Sequence, residues 1–389
     1  MSDPHRALEG RLVLDLSRLL PGPYCSMILA DHGARVIAVE DHRFAEEATP
    51  LLSSVNRNKE HISLNLKSAA GAEAFRALAQ RADVILEGFR PGVVDRLGVG
   101  YEAIRKINPG IVYCSITGYG QAGHGSARVG HDINFLGYSG ALSVIGEAGR
   151  APVVPGLQIA DVAGGLNAAI GILLAVIARE RTGEGQYIDL SITDATFAML
   201  SLVAGACWAG ADLPVQGDCL LSQRYACYTV YPTADGKYLT VGALEPRFWV
   251  KLCERFDVQK YAELQFDEAH QREIKAFFTK AFLTKTRAQW ADLLADEDLC
   301  VGEVLEIDEA LASTLARDRN MVVPPAVDAS APTASPVLGV AAKLSLQPGA
   351  VRSRAPQFGE NTRHVLEELG FSTQKVETLL AEGAAYARD

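Results

Sequence analysis

Two side chains stand next to one another in VGHDINFLGYSG, residues 129–140: His131, an acid–base group near neutral pH, and the carboxylate of Asp132. The segment is otherwise largely apolar and bounded by glycines. Gly130 before the histidine and Asp132 after it suggest a helix start or a sharp turn, with the His131 ring leaving from a backbone corner. A histidine so placed is either a catalytic base or a ring that finds its hydrogen bond in a core. A second isolated acid, Asp161, is the only ionisable residue in GLQIADVAGGLNAAIGILLAVIA, residues 156–178. It is either an N-cap for the helix that follows or a carboxylate in a partly desolvated cleft, where its pKa rises toward working pH. Glu245, in VGALEPRFW, ends a strand just before a helix that begins at Pro246, and is either an ordinary first-turn acid or a third member of the site. The remaining noted histidines, His5, His42, His124, His270 and His364, lie in polar or terminal contexts and receive no role.

The elements that must position these groups are legible as alternating strands and helices. RLVLDLS (11–17), RVIAVE (35–40), DVILEG (83–88), GIVYCSITGYG (110–120) and YIDLSI (187–192) have the β-branched character of strands. Between the first two, Pro23 is placed to open a helix and Gly33 to close it. A long apolar helix runs from Asp161 to about Ala178, and Thr193 or Asp194 is expected to cap the next one. This alternation predicts an α/β fold with a mostly parallel sheet, whose ligands sit at the strand C-termini. Arg57 and Lys59, in SVNRNKEHISLNLKS, and Arg90, in EGFRPGV directly after a strand, lie at such ends. They are either solvated surface charges or ligand contacts. Neither G-x-G-x-x-G after the first strand nor G-x-x-x-x-G-K-[ST] occurs, so dinucleotide and nucleoside triphosphate readings have no motif behind them. The glycine-rich GHGSARVG reads as a mobile loop. Past residue 222 the character changes: YACYTVYPTADGKYLTVGAL is a hairpin around Asp235-Gly236, amphipathic helices fill about 246–315, and VPPAVDASAPTASPVLG (323–339) is a linker.

Composition narrows the function class. The 389 residues exceed one ordinary core and suit two domains, and a 48% hydrophobic content supplies both. A net charge of −10 without a basic run argues against a nucleic-acid surface, while leaving room for a polyanionic small molecule held by a few cations. The seven cysteines, Cys25, Cys114, Cys207, Cys219, Cys227, Cys253 and Cys300, have neither metal nor disulfide spacing and read as free thiols in a reducing compartment. A polar N-terminus and an apolar stretch (166–178) too short for a bilayer predict a cytoplasmic protein without membrane contact.

Seven segments in order, LPGPYCSMILADHGARVIAVE, NRNKEHISLNLKS, DVILEGFRPGVVDRLGVGYE, GYGQAGHGS, GHDINFLGYSG, TGEGQYIDLS and GENTRHVLEELG, together resemble the family III CoA transferases and the related α-methylacyl-CoA racemases. The resemblance covers nearly the whole chain. It implies an interlocked homodimer of subunits with a large Rossmann-like domain and a smaller α+β domain, the active site lying between the large domain of one subunit and the small domain of the other. On this chain it implies a large domain over 1–200, a linker helix region over 201–224, a small domain over 225–322, and a linker with a C-terminal return over 323–389. In the transferase branch the resemblance makes Asp161 a nucleophile. In the racemase branch it makes His131 and Asp161 a pair of bases, with Glu245 orienting His131 and Asp132 supporting Asp161 and the thioester oxygen. GHD, IADVAGG and GALEPRFW resemble the racemase branch. The substrate implied is an acyl-CoA, its phosphates met by Arg90 and less strongly by Arg57, Lys59 and Lys67, and no metal or redox cofactor is required. VEDHR after the second strand leaves only Arg43 for the adenosine end. Met199 is the only methionine between 150 and 320, which argues against a methionine-rich acyl surface.

Overall fold

Runs that are apolar at every position, rather than alternating, belong to strands covered on both faces. The computed structural model, which describes residues 6–47, 50–324 and 335–388, bears this out. Its main sheet is built from β1 (Leu12–Leu16), β2 (Arg35–Glu40), β3 (Lys59–Leu64), β4 (Val84–Glu87), β5 (Val112–Thr117) and β6 (Tyr187–Ser191). The first five are almost wholly buried, whereas β6 alternates exposed and half-buried residues as an edge strand does. Between them run α1 (Pro21–Asp31), α2 (Ala69–Ala79), the short α3 (Val93–Arg96) and α4 (Tyr101–Ile104), α5 (Asp132–Ser139) and the long α6 (Ile159–Thr182), with α7 (Ile192–Met199) following β6. The order β3-β2-β1-β4-β5-β6 is parallel throughout, and the chain changes direction between β1 and β4. In open sheets of this kind the crevice at the strand C-termini beside that switch point is where ligands bind.

Local chemistry shifts two expected boundaries. α1 opens at Pro21 rather than Pro23, the ring occupying a first-turn position that needs no N–H donor. α7 is capped by Ser191, whose hydroxyl accepts the Asp194 N–H at 3.0 Å, so Thr193 and Asp194 lie inside the helix. The apolar stretch after Asp161 also extends further than its sequence core, into a 24-residue helix long and apolar enough to cross a bilayer. Half of that apolar window is buried, packed against α1, α5 and the sheet, as in a core helix.

The chain divides into two compact units: Met1–Ser139, Gly156–Met199 and Thr314–Asp389 in the first, Gly140–Pro155 and Leu200–Ser313 in the second. The region 201–224, expected as a linker, therefore belongs to the second unit, as do residues 140–155, while 314–322 return to the first. The second unit holds α8 (Ser201–Trp208), the three-stranded antiparallel sheet of β7 (Tyr228–Pro232), β8 (Tyr238–Gly242) and β9 (Val301–Glu303), and helices α9 (Pro246–Arg255), α10 (Gln271–Phe282), α11 (Arg287–Leu294) and α12 (Ile307–Ala312). Its core is aromatic, with Tyr231, Trp249, Phe278 and Phe282 fully buried. The expected turn at Asp235-Gly236 joins β7 to β8, Gly236 taking φ +73°. In the returning segment, α13 (Thr314–Asp318) leads to the short pair β10 (Val322–Val323) and β11 (Val337–Leu338); most of the expected linker, 325–334, lies outside the described residues. Then α14 (Thr362–Glu368) and α15 (Thr373–Ala381) pack on the first unit, and β12 (Ala385–Tyr386) adds antiparallel to β3 as the sheet's other edge. Arg352 in this return donates to the carbonyls of Asp31 at 3.1 Å and Ala30 at 2.5 Å, capping the C-terminus of α1 with a cation.

Candidate functional site

Asp161 is not an N-cap. Gln158 holds that position without a side-chain bond, and Asp161 sits in the first turn of α6, its backbone N–H donating to Asp132 Oδ1 at 3.0 Å. That bond spans 29 residues and ties the start of α6 to the start of α5. The Asp161 carboxylate itself has no hydrogen-bond partner among the described residues, and it is half-buried. Burial, then the adjacent Asp132 charge, push its pKa up to about 6, while His131 pulls it back. A carboxyl group with that affinity is both a usable base and a usable acid near neutral pH.

His131 immediately precedes α5, so its ring leaves from the turn that starts the helix, and it is exposed with no side-chain hydrogen bond among the described residues. Gly130 is required in front of it: a Cβ there would come within 2.9 Å of the Phe135 ring and of the Tyr119 hydroxyl. Three groups expected from separate stretches are thus brought together on two helix N-termini, where the dipoles favour negative charge. Their arrangement suits proton removal beside a carbonyl whose oxygen becomes negative. The loop GHGSARVG is tied down: the Arg128 guanidinium donates to the Tyr138 hydroxyl, stacks over its ring and meets His124 Nε2 at 3.1 Å.

The basic residues divide sharply. Arg57 and Lys59, expected as phosphate contacts at a strand C-terminus, stand at the N-terminal start of β3 and turn inward. Arg57 makes a two-pronged bond to Asp31 at 3.0 and 2.7 Å and is 3% exposed. The Lys59 ammonium is fully buried, 3.5 Å from Asp15 Oδ2 and donating to the Pro23 carbonyl at 3.0 Å and Asn56 Oδ1 at 3.1 Å. Burial lowers its pKa, partly offset by Asp15. Both cations are matched internally and hold the body of α1 rather than a ligand. Lys67 and Arg90, by contrast, are exposed at the ends of β3 and β4. Lys67 lines a crevice beyond the C-termini of β1, β2 and β3, together with Arg18, Glu40, Arg43, Phe44 and Phe89. Arg18, 3.5 Å from the centre of the Phe44 ring, escaped the sequence reading, although it follows β1 just as Arg90 follows β4 on the other side of the switch point. Arg43 faces the same ring at 4.7 Å and pairs with Asp41. Glu245 belongs to the second unit, exposed at the N-cap of α9 with no capping bond from its side chain.

The chain is similar to known proteins over nearly its whole length. A family model for CoA-transferase family III matches residues 8–362. The human α-methylacyl-CoA racemase is 36% identical over 379 residues, 95% of either chain. The mouse succinyl-CoA:glutarate CoA-transferase is 31% identical, over 98% of this chain and 91% of its own. A CAIB/BAIF family protein from Brucella suis superposes with a TM-score of 0.81 at 27% identity, covering 94% of this chain and 99% of that one. The chain belongs to CoA-transferase family III.

Proposed function

We propose that this enzyme epimerises the carbon α to the thioester of a 2-methylacyl-CoA by 1,1-proton transfer. The observation that carries the reading is the unpartnered Asp161 carboxyl, raised to about 6 and held beside His131 by the Asp132 bond. For one epimer His131 takes the α-proton, the C–H electron pair moves into an enolate, and protonated Asp161 delivers a proton to the opposite face; for the other epimer the roles exchange. The α5 and α6 N-termini favour the enolate oxygen. Asp132 serves twice, fixing the Asp161 backbone and raising its proton affinity. For the CoA moiety we assign the phosphates to Arg90 and Lys67, with Arg18 and Arg43 at the adenosine end. The identity to a protein named as a racemase supports this reading.

Relatives named as CoA-transferases favour a second one, in which Asp161 attacks the thioester and CoA passes between carboxylic acids. A single epimer of 2-methylacyl-CoA in deuterated water, with no carboxylate acceptor, separates the two. Deuterium at the α-carbon with epimerisation is expected. Absence of exchange, with CoA movement once an acceptor is added, establishes the transferase instead. His131→Ala abolishes exchange in the first case and spares transfer in the second.

A further inference from the structure

The His131 ring has no side-chain hydrogen bond among the described residues, while its backbone is held at the helix start. One side chain holds that backbone. The His131 N–H donates to Asn134 Oδ1 at 3.0 Å, and the Asn134 N–H returns a bond to the His131 carbonyl at 2.8 Å. This is a reciprocal clasp around the helix start, one bond made by the Asn134 side chain and the other by its backbone N–H. Among the described residues the flanks offer no other side-chain bond to this backbone: Gly130 packs closely against Phe135 and Tyr119, and the Asp132 carboxylate accepts from the Asp161 N–H.

We propose that Asn134 is a positioning residue for His131, setting where the imidazole origin lies relative to Asp161. The inference rests on the two-base reading above. Loss of the Oδ1 acceptor frees the His131 N–H and lets the corner relax, displacing His131 more than Asp161, whose backbone belongs to α6 and is held by that helix's packing on α1, α7 and the sheet. A misplacement of about 1 Å lowers the rate of the affected step by up to about 100-fold.

Conversion between epimers is an unsuitable readout, because the equilibrium constant forces both directions to fall together. Washout of the α-proton into solvent from recovered, unconverted substrate is free of that constraint, each epimer presenting its proton to one base only. The experiment measures washout separately from each epimer of a 2-methylacyl-CoA for the wild type, Asn134→Ala and Asn134→Asp, alongside thermal melting of each protein. For Asn134→Ala the ratio of the two washout rates is expected to shift by at least about tenfold, with the melting temperature close to wild type. Asn134→Asp keeps the acceptor and restores the ratio to within about threefold, and remains informative if the alanine variant fails to fold. Equal loss for both epimers, or no loss, overturns the positioning role. Wild type that washes out neither epimer overturns the two-base reading itself, and with it this inference.

Discussion

The half-buried Asp161 carboxyl is where chemistry and stability oppose each other. Its pKa is raised to about 6, chiefly by burial. The folded state therefore holds the proton more tightly than the unfolded chain, and stability from this group is complete below pH about 4 and lost as pH rises through about 6. Asp161→Asn removes that penalty. It is expected to raise the unfolding free energy at pH 8 by about 1–2 kcal/mol, a figure discounted for partial exposure, and to change it little at pH 4. Urea titrations at the two pH values check it; an equal effect at both contradicts the raised pKa. On the proposed two-base reading, washout from the epimer that Asp161 deprotonates is expected to fall as pH drops through about 6, since only the carboxylate takes a proton. His131, Asp132 and Asp161 were legible as residues out of place in apolar surroundings. The sequence could not decide between a cap and a free carboxylate for Asp161, because both readings need an acid near a helix start. Only the dihedral path from Gln158 onward separates them.

At the scale of elements, strand positions were legible because a two-faced buried strand must be apolar throughout, and the parallel order follows from the alternation with helices. Which end of a strand a basic residue flanks was not. Arg57 and Lys59, expected at a strand C-terminus, stand instead at the N-terminal start of β3 and face inward, where Asp31 of α1 and Asp15 of β1 await them from distant segments. Asp15 also accepts from the Ser17 N–H at 2.9 Å and from the Ser17 and Ser26 hydroxyls, so this pair ties together the β1–α1 turn that carries Arg18. Lys59→Met leaves Asp15 buried without its cation and is expected to destabilise by about 3–5 kcal/mol in urea unfolding. Adding Asp15→Asn recovers most of that loss; no recovery would show that Lys59 acts by packing alone. A second contact constrains the same helix. A Cβ at Gly165 would stand 2.6 Å from the Pro21 carbonyl oxygen, so α1 and α6 approach backbone to backbone one turn beyond Asp161. Gly165→Ala must push them apart, at about 1–3 kcal/mol, and should weaken proton washout along with stability.

For the whole molecule, α6 carries an unresolved contradiction if the chain acts alone. One face is buried on the first unit, while Leu166, Ile170, Leu174 and Ile177 stand 43, 54, 62 and 49% exposed at successive helical turns of the other. Contiguous apolar stripes of this kind mark covered surfaces. A bilayer is one possible cover by length and composition, but the buried half of the helix is committed to protein packing and Asp161 stands in its first turn. The homodimer that the resemblance implies would supply such a cover, and we propose a second copy of the chain over this stripe. Wild type is expected to sediment as a dimer at micromolar concentration and to stay in the supernatant with anionic or neutral vesicles. Ile170→Glu with Leu174→Glu places two carboxylates in the stripe without touching the buried face, and should shift the boundary to the monomer with far-ultraviolet dichroism unchanged. Because the same helix holds Asp161, the monomeric variant should also lose proton washout. A monomeric wild type, or a wild type that pellets with vesicles, would overturn this assignment.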